Sequence, residues 1–190
     1  MELLTAEEQK ILLDVAREAV RACTLREESA PPVIDTPRLQ ENRGCFVCIK
    51  IDGILRGCIG NFISDKPLYL LVREMAQAAS CRDPRFYPMK PEDLERFELE
   101  ISVLTPMQKI SSIEEIQVGT HGLYIEKNSF RGVLLPQVAT EYGWDREMFL
   151  GQTCLKAGLK KTDWQEGADI NIFSAQVFSE SSFAAAPRRK

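Results

Sequence analysis

Asp52-Gly53 separates two short runs of strand-forming residues, 44–51 and 54–59, and it constrains the fold more than any other feature of the chain. Such a pair tolerates the positive φ angles of a two-residue hairpin turn, whose twist suits the strands on either side. This stretch is therefore committed to antiparallel neighbours. A second hairpin is predicted at 123–126 and 130–135 around Asn128-Ser129, opened by His121-Gly122. Residues 97–104 alternate, with Phe97, Leu99, Ile101 and Val103 on one face and Glu98, Glu100 and Ser102 on the other, as in a half-buried antiparallel strand. Helical patterns lie between. Thr5-Ala6-Glu7-Glu8 is a capping box ahead of an apolar stripe through Leu12, Val15, Ala19 and Cys23. Ser64-Asp65 reads as the cap of a helix over about 67–80, and Asp145 as the cap of a helix over 146–157 that Gly158 ends. Residues 169–178 read as one last strand. Hairpins interleaved with helices, without β-α-β crossovers, predict an α+β fold: an antiparallel sheet flanked by helices.

A length of 190 residues suits one domain or two closely packed lobes, given roughly 100–200 residues per domain. One domain is expected over 1–180, with a disordered tail over 181–190 that ends in Arg188-Arg189-Lys190. The net charge of −4 and the absence of a basic stripe argue against nucleic-acid binding. Met1-Glu2-Leu3-Leu4 shows neither a basic n-region nor an apolar h-region. The longest apolar runs fall far short of the ~20 residues that span a bilayer. A soluble cytoplasmic protein without a membrane partner is expected.

The six cysteines have irregular spacing and are expected to be free thiols in a reducing compartment. Cys45-Phe46-Val47-Cys48 is formally a C-x-x-C, but its apolar flanks favour a strand, which sends the two sulfurs to opposite faces. No second C-x-x-C or histidine pair completes a tetrahedral zinc set, and no metal is assigned. Cys154 shares a helix side with Leu150 and Ala157 and reads as core. Cys58 is the candidate for chemistry. It stands in Leu55-Arg56-Gly57-Cys58-Ile59-Gly60, where glycine permits close approach to a ligand and arginine can activate a thiol. The rival reading is a small buried thiol in a tight place. His121, the single histidine, is the only histidine available to a cysteine–histidine pair. Alternatively it is a turn residue that bonds local backbone. Arg82-Asp83-Pro84-Arg85 could grip a carboxylate or phosphate, or could hold an internal Arg–Asp pair that pins its own loop.

The chain resembles the AMMECR-type domain, also called AmmeMemoRadiSam system protein A. The resemblance rests on the Arg56-Gly57-Cys58-Ile59-Gly60 block, Arg82-Asp83-Pro84-Arg85-Phe86, Glu98 to Leu104, and His121-Gly122-Leu123. It continues through Pro136-Gln137-Val138-Ala139, Gly143-Trp144-Asp145 and Cys154-Leu155-Lys156-Ala157-Gly158. These blocks span about residues 5–180 in family order. The resemblance implies a larger and a smaller lobe with a cleft that gathers the cysteine motif, the arginine loop and the histidine turn. It also implies association with a Memo-like protein and a radical S-adenosylmethionine protein. No cofactor is assigned. Asn61 stands where threonine is expected, and Cys45, Cys48 and Cys81 fall outside the family pattern. Two functions follow. In an enzyme, Cys58 is the nucleophile and His121 the acid–base partner, while Arg56, Gly57, Gly60, Asp83, Arg85 and Gln137 bind an anionic substrate. In a binding or adaptor protein, the same residues recognise a small anionic ligand, a peptide or those partners.

Overall fold

Asp52 and Gly53 both adopt positive φ, 50° and 78°, and close the expected hairpin between β1 (Cys45–Ile51) and β2 (Ile54–Asn61). The structure, a computed structural model, describes residues 3–183. β3 (Phe97–Leu104) pairs antiparallel with the other side of β1, and β8 (Ala175–Ser179) follows it, giving the order β2-β1-β3-β8. One face of this sheet carries Cys45, Val47, Ile49, Leu99, Ile101 and Val103, all fully buried. They pack in one core with α1 (Ala6–Leu25) and α2 (Leu68–Cys81). The alternate positions Phe46, Cys48, Lys50, Glu98 and Glu100 are only half-buried, as the alternation of 97–104 predicts.

The chain forms two compact units. The first runs to Leu104 and resumes at Gln176; the second is Thr105–Ala175. The returning segment of the first unit is tied down by side chains. Leu4 N donates to Gln176 Oε1 at 2.8 Å, while Gln176 Nε2 donates to Leu4 O at 2.9 Å. Arg17 binds Glu180 at 2.5 Å, and Glu180 accepts from Leu99 N at 2.9 Å.

The second unit has its own sheet, ordered β4-β7-β5-β6. Its strands are β4 (Gln108–Lys109), β5 (Gly122–Lys127), β6 (Phe130–Leu134) and β7 (Asp169–Phe173). The buried Leu123, Ile125, Phe149, Leu150 and Cys154 share a core there. α3 (Pro136–Glu141) and α4 (Arg146–Lys156) complete the unit. Asp145 caps α4 by accepting from Met148 N at 2.8 Å, and Gly158 beyond its end has φ 82°. The fold is α+β, as expected, but with two antiparallel sheets in place of one.

Four local expectations are corrected. Residues 169–178 are two strands broken at Ser174, β7 in one sheet and β8 in the other. Both halves alternate, so the pattern runs through the break without marking it. Ser64 does not cap α2. Its Oγ accepts from Lys66 N at 2.9 Å in a local turn, and Pro67 holds the N-cap position with no side-chain acceptor. Proline's fixed φ suits a helix start and its missing amide leaves one donor fewer to satisfy. Glu180–Ser182 is a 3-10 turn, so Ser181 and Ser182 do not belong to a disordered tail. The rest of that tail, 184–190, lies outside the described residues. Cys48 and Cys58 are not free thiols; they are joined by a disulfide. Among the described residues no helix is long and apolar enough to cross a membrane.

α2 lies close against β2, and glycine makes this possible. A Cβ on Gly57 would sit 2.1 Å from Ala79 O, the backbone of the last turn of α2. Gly57→Ala is expected to cost about 1–3 kcal/mol or more through forced repacking. Gly143→Ala, which meets only open space but has φ 63°, is expected to cost about 1–2 kcal/mol from left-handed backbone alone. Urea midpoints of the two variants should rank accordingly.

Candidate functional site

β2 is an edge strand, with β1 on one side only. In an antiparallel ladder alternate residues turn their N–H and C=O away from the neighbour, and at an edge those groups need other partners. Cys58 is such a residue. Its N–H donates to Asp83 Oδ2 at 2.8 Å and its C=O accepts from Arg85 Nη2 at 2.9 Å. The loop after α2 thus supplies what a further strand would have supplied. Asp83 also accepts from Arg85 N at 3.1 Å, Arg85 Nε at 3.0 Å and Arg85 Nη2 at 2.7 Å. Its side chain is 1% exposed and that of Arg85 55%. The Arg85 side-chain hydrogen bonds hold the Asp83 carboxyl far below the usual carboxylate range. Burial opposes them, and the amides of Cys58 and Arg85 add to the lowering. Of the two readings of the Arg-Asp-Pro-Arg loop, the structure displays the internal pair.

The register of the hairpin shifts between Ile49 and Lys50. Lys50 pairs with Leu55 but Ile49 pairs with Gly57, which leaves Arg56 as an extra, unpaired residue, a β-bulge. Regular strand alternation, which would place Arg56 on the face of Cys58, does not apply across it. The bulge also decides the partner of Cys58. Without it the two-residue turn would set Cys48 opposite Gly57; with it, Cys48 stands opposite Cys58. Because the Cys58 amide and carbonyl face outward, this is a non-hydrogen-bonded pair, the kind whose side chains come closest. The Cα atoms are 4.0 Å apart and the sulfurs are bonded. Cys48 is therefore a site residue that the sequence did not reveal, since only the bulge brings it into line.

Arg56 donates through Nη2 to Tyr87 O. Its guanidinium lies 5.7 Å from the centroid of the Phe86 ring, and that of Arg85 lies 5.4 Å from the same centroid. Gly57 and Gly60 are explained by packing. Gly57 makes way for α2, and a Cβ on Gly60 would lie 2.4 Å from the Phe46 ring.

The other two candidates belong to the second unit. His121 Nδ1 accepts from Gln117 N at 3.2 Å, while its own N–H donates to Gln117 O at 2.9 Å. The histidine thus closes a local turn, and in the neutral ring this places the proton on Nε2. Gln137 is an exposed residue in the first turn of α3, and its carbonyl accepts from Thr140 Oγ1 at 2.7 Å. The structure brings together Arg56, Gly57, Cys58, Asp83 and Arg85 within the first unit. It places His121 and Gln137 in the second. Among the described residues no group of three or more His, Cys, Asp or Glu side chains could hold a metal ion.

The fold is that of an α+β protein, and the chain belongs to the AMMECR1 family, whose model matches residues 13–178. It is 42% identical over 192 residues to Protein MK0488 of Methanopyrus kandleri, covering 94% of this chain and 91% of that protein. It is 38% identical over 188 residues to Protein Mbar_A1807 of Methanosarcina barkeri, covering 94% and 93%. The crystal structure of the uncharacterized protein PH0010 from Pyrococcus horikoshii is similar with a TM-score of 0.78 at 36% identity. That match covers 98% of this chain and 96% of PH0010.

Asp83→Asn should cost about 1–3 kcal/mol at neutral pH, the scale of a charge-assisted hydrogen-bond set with one half-exposed partner. A depressed folded-state pKa contributes stability above the unfolded carboxylate value and loses it as pH falls through the folded value. The gap in urea midpoint between the wild type and Asp83→Asn should therefore persist through mildly acidic pH. It should close only in strong acid, below the usual carboxylate range.

Proposed function

We propose that the protein is a recognition module whose surface at the bulge of β2 binds a small anionic ligand. The observation that carries this reading is that Arg56 and Arg85 both reach the Phe86 ring while one carboxylate, Asp83, is paired with Arg85 alone. That carboxylate is already consumed by Arg85 and the strand edge. A carboxylate or phosphate group arriving there gains charge-assisted hydrogen bonds and relieves the repulsion of two like charges. The Cys58 side chain makes no contact with the ligand in this reading, because both its backbone groups and its sulfur are engaged elsewhere. The cytoplasmic setting expected from the sequence, and the Memo-like and radical S-adenosylmethionine partners that the family resemblance implies, belong to the proposal. So does the reading of the two units as lobes of a single domain.

A second reading keeps Cys58 as a nucleophile with His121 as acid–base partner. It is favoured by the half-exposed position of Cys58 on the outer face of the sheet. It requires the bond to Cys48 to be reduced first, because the thiolate is the nucleophile.

Calorimetric titration with pyrophosphate and with citrate tests the first reading. The wild type should bind at least one probe. Arg56→Ala should weaken binding about 10-fold or more, the scale of one charge-assisted contact. The double variant Cys48→Ser, Cys58→Ser should bind unchanged. If neither anion binds, or Arg56→Ala binds as well as the wild type, the arginine surface is not the site. Turnover of a substrate by the reduced protein that Cys58→Ser abolishes would establish the second reading instead.

A further inference from the structure

α1 and α2 end side by side, and each carries a cysteine there: Cys23 in the last turn of α1, and Cys81 as the last residue of α2. Cys23 Sγ donates to Gln77 O of α2 at 3.8 Å, and Ser80 Oγ donates to the same carbonyl at 3.0 Å. Ser80 Oγ donates to Cys81 Sγ at 3.4 Å. Both thiols are free and half-buried. They open into a cavity of about 680 Å³ that Arg26, Lys90 and Met89 also line, with no carboxylate among its walls. Arg82 lies close enough to act on the Cys23 thiol electrostatically. Thr24, also on the wall, is 9% exposed, and its buried Oγ1 has no hydrogen-bond partner among the described residues. The cavity thus combines two thiols from adjoining helix ends with two cations, Arg26 and Lys90, at a size suited to a small molecule.

We propose that Cys23 and Cys81 are a dithiol oxidation site that reacts with a small, carboxylate-bearing disulfide and ends as a Cys23–Cys81 bond across the two helix ends. Cys81 is the attacking thiol. Its thiolate displaces one sulfur of the small disulfide R–S–S–R, forming Cys81–S–S–R, and the leaving thiolate takes up a proton as R–SH. Cys23 then gives up its proton, and its sulfur attacks the Cys81 sulfur. The Cys81–S–R bond breaks and a second R–SH leaves. Two electrons pass from the two protein thiols to the small disulfide, which departs as two thiols.

The order of attack follows from the surroundings. Cys23 Sγ donates its proton to Gln77 O, whereas Cys81 Sγ accepts from Ser80 Oγ, so Cys81 is the sulfur placed to attack first; burial also pushes the Cys23 thiol up to about 11. The site lies at helix C-termini, whose carbonyl ends do not stabilise a thiolate. The cations lining the cavity select an anionic disulfide over a neutral one. Cys81 also precedes the loop of Asp83 and Arg85 directly, so the new bond fixes the point from which that loop leaves α2.

The full chain treated with oxidised glutathione and mapped by mass spectrometry without reduction tests this. The expected product is a Cys23–Cys81 linked peptide with loss of two alkylatable thiols, while the Cys48–Cys58 peptide serves as a reference. Cys23→Ser should stop at a stable glutathione adduct on Cys81, and Cys81→Ser should yield no linked peptide. The neutral hydroxyethyl disulfide should react several-fold more slowly. Failure of the linked peptide to form while both thiols remain alkylatable overturns the proposal. So does trapping of glutathione on Cys23 in place of Cys81. Equal rates with the neutral disulfide overturn the anionic preference.

Discussion

A carboxylate that is almost wholly buried normally loses its proton affinity contest to desolvation and becomes neutral. Asp83 stays charged because four donor groups converge on it: the Cys58 amide, the Arg85 amide and two nitrogens of the Arg85 guanidinium. The rest of the candidate site depends on this arrangement. With Arg85 donating to the Cys58 carbonyl, one acid and one base together satisfy both free backbone groups of an edge residue. The loop after α2 is thereby fastened to β2, and the helix, the loop and the strand share one anchoring point. An exposed ion pair of the same composition would add little. Here the acid is sealed from water and bonded to backbone, so removing it leaves the Cys58 and Arg85 amides unpaired and frees the Arg85 guanidinium together.

Gly57, Cys58 and Gly60 each answer to a different neighbour. Gly57 faces the helices and yields to the carbonyl of Ala79, while Gly60 lies beneath the ring of Phe46. Cys58 meets Asp83 and Arg85 along the sheet edge and Cys48 across the strand pair. The motif that first suggests a ligand cradle is thus largely accounted for by close packing on several sides. What it leaves over for recognition is the bulge, which takes Arg56 out of the ladder and sets its guanidinium near that of Arg85 beside one ring.

The elements that periodicity and caps define were legible in the sequence. The capping box of Thr5 and Glu8, the Asp52-Gly53 turn, the alternation of 97–104 and the Asp145 cap all report interactions between near neighbours in the chain. What stayed hidden depends on the sheets as wholes. The break at Ser174 does not show because alternation suits either sheet. The short β4 has only two residues, too few to carry a period. Of the candidate residues, Arg56, Cys58, Asp83 and Arg85 meet in the first unit, and the internal Arg–Asp pair is one of the two readings that the Arg82-Asp83-Pro84-Arg85 spacing allows. The hairpin register was not legible. A single bulged residue decides whether Cys58 faces a glycine or a cysteine, and no spacing rule announces a bulge. Local bonding of His121, by contrast, was among the readings that a turn before glycine allows.

Facing, more than spacing, sets the chemistry of the cysteines. Cys45 and Cys48 are close in sequence, yet strand alternation sends Cys45 into the core, where burial pushes its thiol well above the ordinary range. Cys48 goes to the outer face and meets Cys58. Cys154 is buried in the second unit's core and is likewise pushed up by burial. Cys23 and Cys81 are 58 residues apart in numbering, yet the packing of α1 on α2 makes them neighbours at a cavity. A C-x-x-C count therefore selects the wrong pair in this chain. The two pairs that do meet are made by long-range contacts, one across a shifted hairpin register and one across two helix ends. They flank the same short loop, Cys58 bonded to it through Asp83 and Cys81 at its start. A loop fastened by an ionised carboxylate two residues beyond a dithiol cysteine has two distinct handles near its start, one sensitive to acid and one to thiol oxidation. Both bear on the position of Arg85.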